Sequence, residues 1–205
     1  RISMKKLFKF GIVLASIFTI SAGLASPRDD LKDRLQSFKA LSSNFDQEVI
    51  KADGSIVSAS KGRLLVSKPD RLLMHTETPD EQYLFTKGDA VYFYDPFVNQ
   101  LSIFSVADLN TAPFLLLNSD DKKLWDQYEV KAQGQSFTLR PKSSKEFKEI
   151  ELKFKDNMLE RLVISMKDGN KNIYKLSAQS SQVNLKDFEV SIPEDAEVDD
   201  ERRSY

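Results

Sequence analysis

The stretch EIELKFK, residues 149–155, alternates charged and apolar residues without a break. A side-chain period of two sets Ile150, Leu152 and Phe154 on one face and Glu149, Glu151, Lys153 and Lys155 on the other, which only a half-buried strand can do. Phe188, Val190 and Ile192 repeat the pattern near the end of the chain. Between and before these lie strand-like runs near 44–51, 56–67, 71–77, 82–87, 90–94, 98–105, 127–132, 136–140, 159–167 and 172–179. Turn residues separate them: Asp53-Gly54, Lys87-Gly88-Asp89, Asp95-Pro96, Asp156-Asn157 and Asp168-Gly169-Asn170. Tight turns join antiparallel neighbours, so the chain is constrained to be mainly β, one antiparallel sheet arranged as a sandwich or a barrel. It contains no internal repeat and no linker long enough to divide it.

Two segments break the alternation. Ser26-Pro27-Arg28-Asp29 supplies a cap, a proline for the first turn and an acid near the helix start. Leu31, Leu35 and Phe38 then share one face, so 27–41 is expected to be an amphipathic helix. The second break lies near 106–126 and contains TAPFLLLNSDD, residues 111–121. Here Phe114 to Leu117 are four large apolar residues fenced by a proline and a run of turn formers. Such a segment is either an ordinary core helix or a cover over an apolar surface.

The first residues bear on compartment. After Met4 come Lys5, Lys6 and Lys9, then an apolar run from Phe10 to Ala25 ending in Gly23-Leu24-Ala25. Sixteen residues, 10 through 25, fall short of the ~20 that a spanning helix needs. The reading is a signal peptide over 1–25, cleaved after Ala25, followed by a single domain over 26–205. Arg1-Ile2-Ser3, ahead of Met4, reads as a scar or as an upstream start. With no cysteine anywhere, there is neither a disulfide nor an attachment point for lipid, and the core must suffice alone. Four of the 30 basic residues and none of the 31 acidic ones fall in 1–25, so the remaining chain stands at −5. That charge argues against nucleic acid as a partner and against electrostatic docking on anionic lipid.

Catalytic groupings do not appear. His75 is the only histidine, sits in a strand beside Met74 and Thr76, and reads as a strand residue with an ordinary hydrogen bond. No Gly-x-Ser-x-Gly elbow, metal-spaced cluster or phosphate-cradling glycine loop is found, and neither a cofactor nor a metal is expected. Aromatic residues crowd 83–104: Tyr83, Phe85, Tyr92, Phe93, Tyr94, Phe97 and Phe104. They fit a packed core with tyrosines at its rim, and equally a barrel that encloses an apolar ligand.

Several blocks together resemble the LolA family of periplasmic carriers, which move lipoproteins to the outer membrane of Gram-negative bacteria. The blocks are TPDEQYLFTKGDAVYFYDPFVNQ at 78–100, APFLLL at 112–117, WDQY at 125–128, LRPK at 139–142 and VDDERR at 198–203. The resemblance runs in order over essentially all of 26–205. It implies an incomplete, unclosed antiparallel β-barrel with an amphipathic N-terminal helix and short lid helices over the concave face. It further implies a non-enzymatic function in the periplasm: shielding the acyl chains of lipoproteins, as a monomer, between an inner-membrane ABC-type releasing complex and an outer-membrane receptor. The cargo-binding residues so implied are Leu64, Val66, Leu72, Met74, Tyr83, Phe85, Phe93, Phe114, Leu115 and Leu116, with 114–117 as the lid. One departure stands in GRLLVSKPDRLLMH, residues 62–75. The family usually has arginine before this proline, hydrogen-bonded to the lid, and here the position is Lys68. By alternation Lys68 shares a face with Leu64 and Val66, so a latch of the same kind is expected from an ammonium instead of a guanidinium.

Other functions fit less well. A lipidated receptor of similar fold would need a cysteine. An envelope-stress-sensing protein that uses this barrel as one domain would need a second domain. An esterase acting on acyl chains would need a nucleophile and base.

Overall fold

A computed structural model describes residues 25–106, 113–144 and 146–202 of the chain. Residues 1–24 of the expected signal peptide over 1–25 lie outside the described residues, as do 107–112 within the second break. Among the described residues no helix is long and apolar enough to cross a membrane.

Helix α1 spans Pro27–Gln36. Ser26 caps it, its Oγ accepting from the Asp29 amide at 3.2 Å, and Leu31 and Leu35 turn inward and are buried. The helix stops short of the expected residue 41. Ser37 donates its hydroxyl back to the Arg34 carbonyl at 2.7 Å, and by Ala40 the backbone is already paired to the next strand. A neighbouring strand offers residues 40–43 more hydrogen bonds and burial than another helical turn would.

Twelve strands follow: β1 (Ala40–Ile50), β2 (Ile56–Ser67), β3 (Arg71–Thr78), β4 (Gln82–Lys87), β5 (Ala90–Asp95), β6 (Gln100–Ser105), β7 (Tyr128–Gln133), β8 (Ser136–Pro141), β9 (Phe147–Lys155), β10 (Met158–Met166), β11 (Lys171–Ser180) and β12 (Glu197–Asp200). They form one sheet in the order β12-β6-β5-β4-β3-β2-β1-β11-β10-β9-β8-β7. All neighbours are antiparallel except β12, which runs parallel to β6. The two edges, β7 and β12, do not pair, so the sheet is an open barrel and not a sandwich.

Two local features shape its curvature. Opposite Ser42–Asn44 the register of β11 slips between Ser180 and Ser177, and Ala178 takes a left-handed conformation with φ 50°. This is a β-bulge, which bends and twists the strand that carries it. At Gly62 the Phe45 ring and the next strand come so close that a Cβ would stand 2.0 Å from the His75 carbonyl oxygen. Glycine there permits a backbone approach that a side chain would block.

The two faces of the sheet carry different cores. The concave face buries Phe45, Leu64, Val66, Leu72, Phe137, Leu139, Leu152 and Phe154, among others, beneath α1 and the segment 113–125. The outer face carries a smaller cluster, Ala90, Tyr94, Leu101 and Ile103, covered by Val190, Ile192 and Ala196. Phe188, Val190 and Ile192 therefore do not form the expected strand. Leu185–Phe188 is a short 3₁₀ turn, and the extended chain after it lies flat on the sheet. Extended backbone alternates its side chains whether or not it joins a ladder, so the pattern alone could not tell the two apart. The true last strand, β12, is exposed along its whole length and lacks the apolar alternation that would mark it.

Candidate functional site

The stretch PFLLL, Pro113–Leu117, is a 3₁₀ turn laid on the concave face. Phe114 to Leu117 are all buried. The Phe114 ring stands edge-on to Tyr174 with centroids 4.7 Å apart. The turn is closed by the amides of Asn118 and Ser119, both donating to the Leu115 carbonyl. Trp125 Nε1 donates to the Ser119 carbonyl at 2.9 Å, tying the turn to the short helix α2 (Lys122–Trp125). Asn118 is buried, and its Oδ1 has no hydrogen-bond partner among the described residues.

Beneath this cover the central part of the sheet face is apolar. Leu64, Val66 and Leu72 are completely buried and Met74 is nearly so. Leu84 lies level with Met74 on one side and with Phe93 on the other, so Phe93 belongs to the same face. Toward the ends of β3 and β11 a cavity of about 250 Å³ remains, lined by Gln47, Met74, Thr76, Gln82, Leu84, Phe93, Phe114, Phe147, Ile164, Asn172 and Tyr174. A water occupies ~30 Å³ in the liquid, so this void equals about eight of them. That is below the ~300–1,000 Å³ of ordinary ligand pockets. A void of this size does not hold a long-chain ligand.

Helix α1 straps this assembly from the side. Arg28 donates to Asp126 Oδ1 at 2.8 Å and to the Tyr128 carbonyl at 2.7 Å. Gln36 Nε2 donates to Asp120 Oδ1 at 2.7 Å, and the Arg34 guanidinium lies over the Phe137 and Phe154 rings. Lys68 acts at the other end of the helix. Its ammonium donates to the Leu35 carbonyl and stands 4.6 Å above the centre of the Phe38 ring. Burial lowers the pKa of this lysine, with nearby Asp120 working in the opposite direction. The contact expected on the 114–117 turn is thus found on α1. The last carbonyls of a helix lack intrahelical donors and carry partial negative charge, so a cation is held well there.

Two of the expected cargo-binding residues sit elsewhere. Because Leu84 points into the concave face, Tyr83 and Phe85 on either side of it point out. Tyr83 stacks on His75 with centroids 4.3 Å apart, and Phe85 stacks on Tyr92 at 5.1 Å. Reading β4 one residue out of phase exchanges its faces entirely. Residues that the sequence reading misses include Leu84, Tyr174, Phe147 and Ile164, all lining the cavity. Strand alternation through β4, β9, β10 and β11 carries the signal for each. His75 lies on the outer face, its Nε2 2.9 Å from Glu81 Oε1, which also accepts from the Tyr83 hydroxyl at 2.7 Å. Among the described residues no cluster of three or more His, Asp or Glu could hold a metal ion.

An open, mainly antiparallel sheet whose apolar concave face is covered by a short apolar turn defines a class: an unclosed β-barrel with a covered apolar face. The family described as outer membrane lipoprotein carrier protein LolA matches residues 36–191, and the chain belongs to it. It is similar to the outer-membrane lipoprotein carrier protein of Actinobacillus pleuropneumoniae serotype 7 (strain AP76), 35% identical over 206 residues that cover 97% of each chain. It is similar also to that of Pasteurella multocida (strain Pm70), 34% identical over 195 residues, covering 93% of this chain and 95% of the relative. Among solved structures the fold is similar to a LolA superfamily protein from Nitrosomonas europaea, with a TM-score of 0.52 and 10% identity, covering 80% of this chain and 96% of that one. An uncharacterised conserved protein from Thermus thermophilus is similar at a TM-score of 0.52 and 13% identity, covering 85% and 98%.

Proposed function

We propose that this protein is a periplasmic lipoprotein carrier, which takes the acyl chains of a lipoprotein into its concave face, shields them across the aqueous space and delivers the cargo to the outer membrane. The observation that carries the reading is the buried turn Phe114–Leu117, seated on an apolar surface that continues beneath it. Membership of the lipoprotein carrier family supports it.

Each methylene kept from water contributes ~0.8 kcal/mol, so acyl chains totalling dozens of carbons carry tens of kcal/mol. No lipoprotein crosses an aqueous gap free at that cost. A carrier must offer apolar surface, hide it when empty, and still let go. Direction then comes from the difference in preference among donor, carrier and acceptor. The function is one of binding, not catalysis.

Further parts of the proposal concern partners and compartment. The donor is an ABC-type releasing complex in the inner membrane, and the acceptor is a receptor at the outer membrane. Export uses the signal peptide over 1–25, and residues 26–205 work as a single-domain monomer. Leu64, Val66, Leu72, Met74 and Phe93 line the acyl path once Phe114, Leu115 and Leu116 move aside, and Lys68 holds the empty form closed through α1.

The test is release. The purified protein is added to spheroplasts loaded with labelled lipoprotein, and the soluble fraction is examined for a complex. A one-to-one complex with acylated protein is expected. A protein that leaves all lipoprotein on the spheroplasts, and that carries none when purified from periplasm, would overturn the reading.

A further inference from the structure

A surface meant only for hydrocarbon has no use for a hydroxyl, yet Tyr174 places one in the cavity. Tyr174 is 7% exposed and lies on the concave side of β11, between the rings of Phe45 and Phe114. Directly opposite it on β1 is Gln47. The Gln47 side-chain oxygen Oε1 accepts from Ser60 Oγ at 2.8 Å, which leaves the side-chain amide nitrogen, on the strand facing Tyr174, free to donate. A phenol can accept one hydrogen bond and still donate its own proton. A chain of three polar groups, Ser60, Gln47 and Tyr174, therefore leads to a phenol at the wall of the cavity.

The rest of the lining is graded in the same way. Gln47, Thr76, Gln82 and Asn172 gather with Tyr174 where the cavity approaches the β3–β4 and β10–β11 turns, while the surface deeper in, at Leu64, Val66 and Leu72, is apolar. An acylated cysteine is graded likewise, with hydrocarbon tails ending in ester and amide carbonyls. Sites that bind apolar ligands fix them with a few well-placed polar groups.

We propose that Tyr174, oriented by Gln47 and uncovered when Phe114 withdraws, donates a hydrogen bond to a carbonyl of the ester or amide linkages that join the acyl chains to the cargo. This rests on the carrier reading and adds to it an orientation. The tails run toward Leu72 and Leu64, the linkages stop at Tyr174, and the polypeptide leaves past the β3–β4 turn.

The test compares two lipopeptides with identical chains, one with the natural ester and amide linkages and one with ether linkages and an uncharged trifluoroethylamine linkage, which lack carbonyls. A diacyl phospholipid with ester linkages is the third probe. Binding is measured for the parent and for Tyr174→Phe, which keeps the ring between Phe45 and Phe114. The parent should prefer the carbonyl-bearing lipopeptide by about 3- to 10-fold, the range of a neutral hydrogen bond. In Tyr174→Phe that ratio should fall to near one. Using the ratio removes any general loss of folding, and Gln47→Met carries the same comparison should Tyr174→Phe fail to fold. Loss of the preference on the lipopeptide supports the proposal, whether or not the phospholipid shares it. An equal ratio in parent and variant, or an effect confined to the phospholipid, overturns the proposal and leaves the carrier reading intact. A parent that binds neither lipopeptide overturns the carrier reading itself.

Discussion

Lys68→Leu is expected to make the protein load more readily and release more slowly. In the empty form Lys68 donates to the Leu35 carbonyl and lies over Phe38. A hydrogen bond to a charged group is worth ~1.5–3 kcal/mol, and a cation over an aromatic face ~0.5–2 kcal/mol. Against these stands the cost of half-burying an ammonium, which its lowered pKa reports, and leucine regains apolar contact with Phe38. A net loss of ~1–2 kcal/mol remains, a factor of roughly 5–30 in the balance between closed and open forms. On the proposal that the contact is made only with the turn closed, its loss favours the loaded form. The assay follows labelled lipoprotein from preloaded carrier to outer-membrane vesicles. Lys68→Leu should take up cargo at least as well as the parent and pass it on roughly 5–30 times more slowly. Lys68→Arg should transfer normally, since a guanidinium also reaches a helix C-terminal carbonyl. If Lys68→Leu lowers the melting temperature but transfers at the parental rate, α1 does not move on loading and the lysine is only a structural strut.

The remaining predictions concern the lid and the sheet beneath it. Phe114→Asp should impair cargo uptake more than it lowers the melting temperature, as titration with a triacylated lipopeptide beside calorimetry would reveal; unfolding as the main effect would make the turn plain core. Leu72→Glu sets a carboxylate on a fully buried position, so it should both destabilise the fold and abolish uptake at neutral pH; normal delivery would remove Leu72 from the acyl path. Asn118→Leu replaces a buried oxygen that has no partner among the described residues and should stabilise the closed form by ~1–3 kcal/mol, raising the melting temperature and slowing uptake; faster uptake would contradict the closed-lid assignment. Gly62→Ala brings a methyl against the His75 carbonyl and should cost about 3 kcal/mol in urea unfolding, whereas an unchanged midpoint would mean that the sheet opens there freely.

Much of this molecule is written in its alternation. The pattern predicts strands at 56–67 and 82–87, and β2 and β4 are found with those bounds. Turn residues with their own backbone demands set those limits. What alternation cannot supply is phase. The family resemblance sets Tyr83 and Phe85 among the expected cargo-binding residues, whereas the inward direction of Leu84 between them turns both outward. The reverse error hides Tyr174, whose inward direction follows from Leu176 two residues on. The extended tail over the outer face and the exposed β12 escape for another reason. Each is fixed by contacts with β6 and its neighbours, which are distant in sequence and leave no local signature. The turn at 114–117 is legible as an apolar segment between breakers, but only the sheet beneath it distinguishes a cover from a core.

The central claim is that acyl chains displace this turn. The chain has no cysteine, so Leu116→Cys introduces a single thiol at a position that is 3% exposed in the empty form. Its rate of alkylation, measured with and without a bound triacylated lipopeptide, reports the turn directly. The thiol should react slowly in the empty protein and at least tenfold faster once cargo is bound, since a factor of ten corresponds to ~1.4 kcal/mol in the opening equilibrium. Saturating lipopeptide with no change in the alkylation rate would mean that cargo sits elsewhere and that Phe114–Leu117 never leaves the concave face.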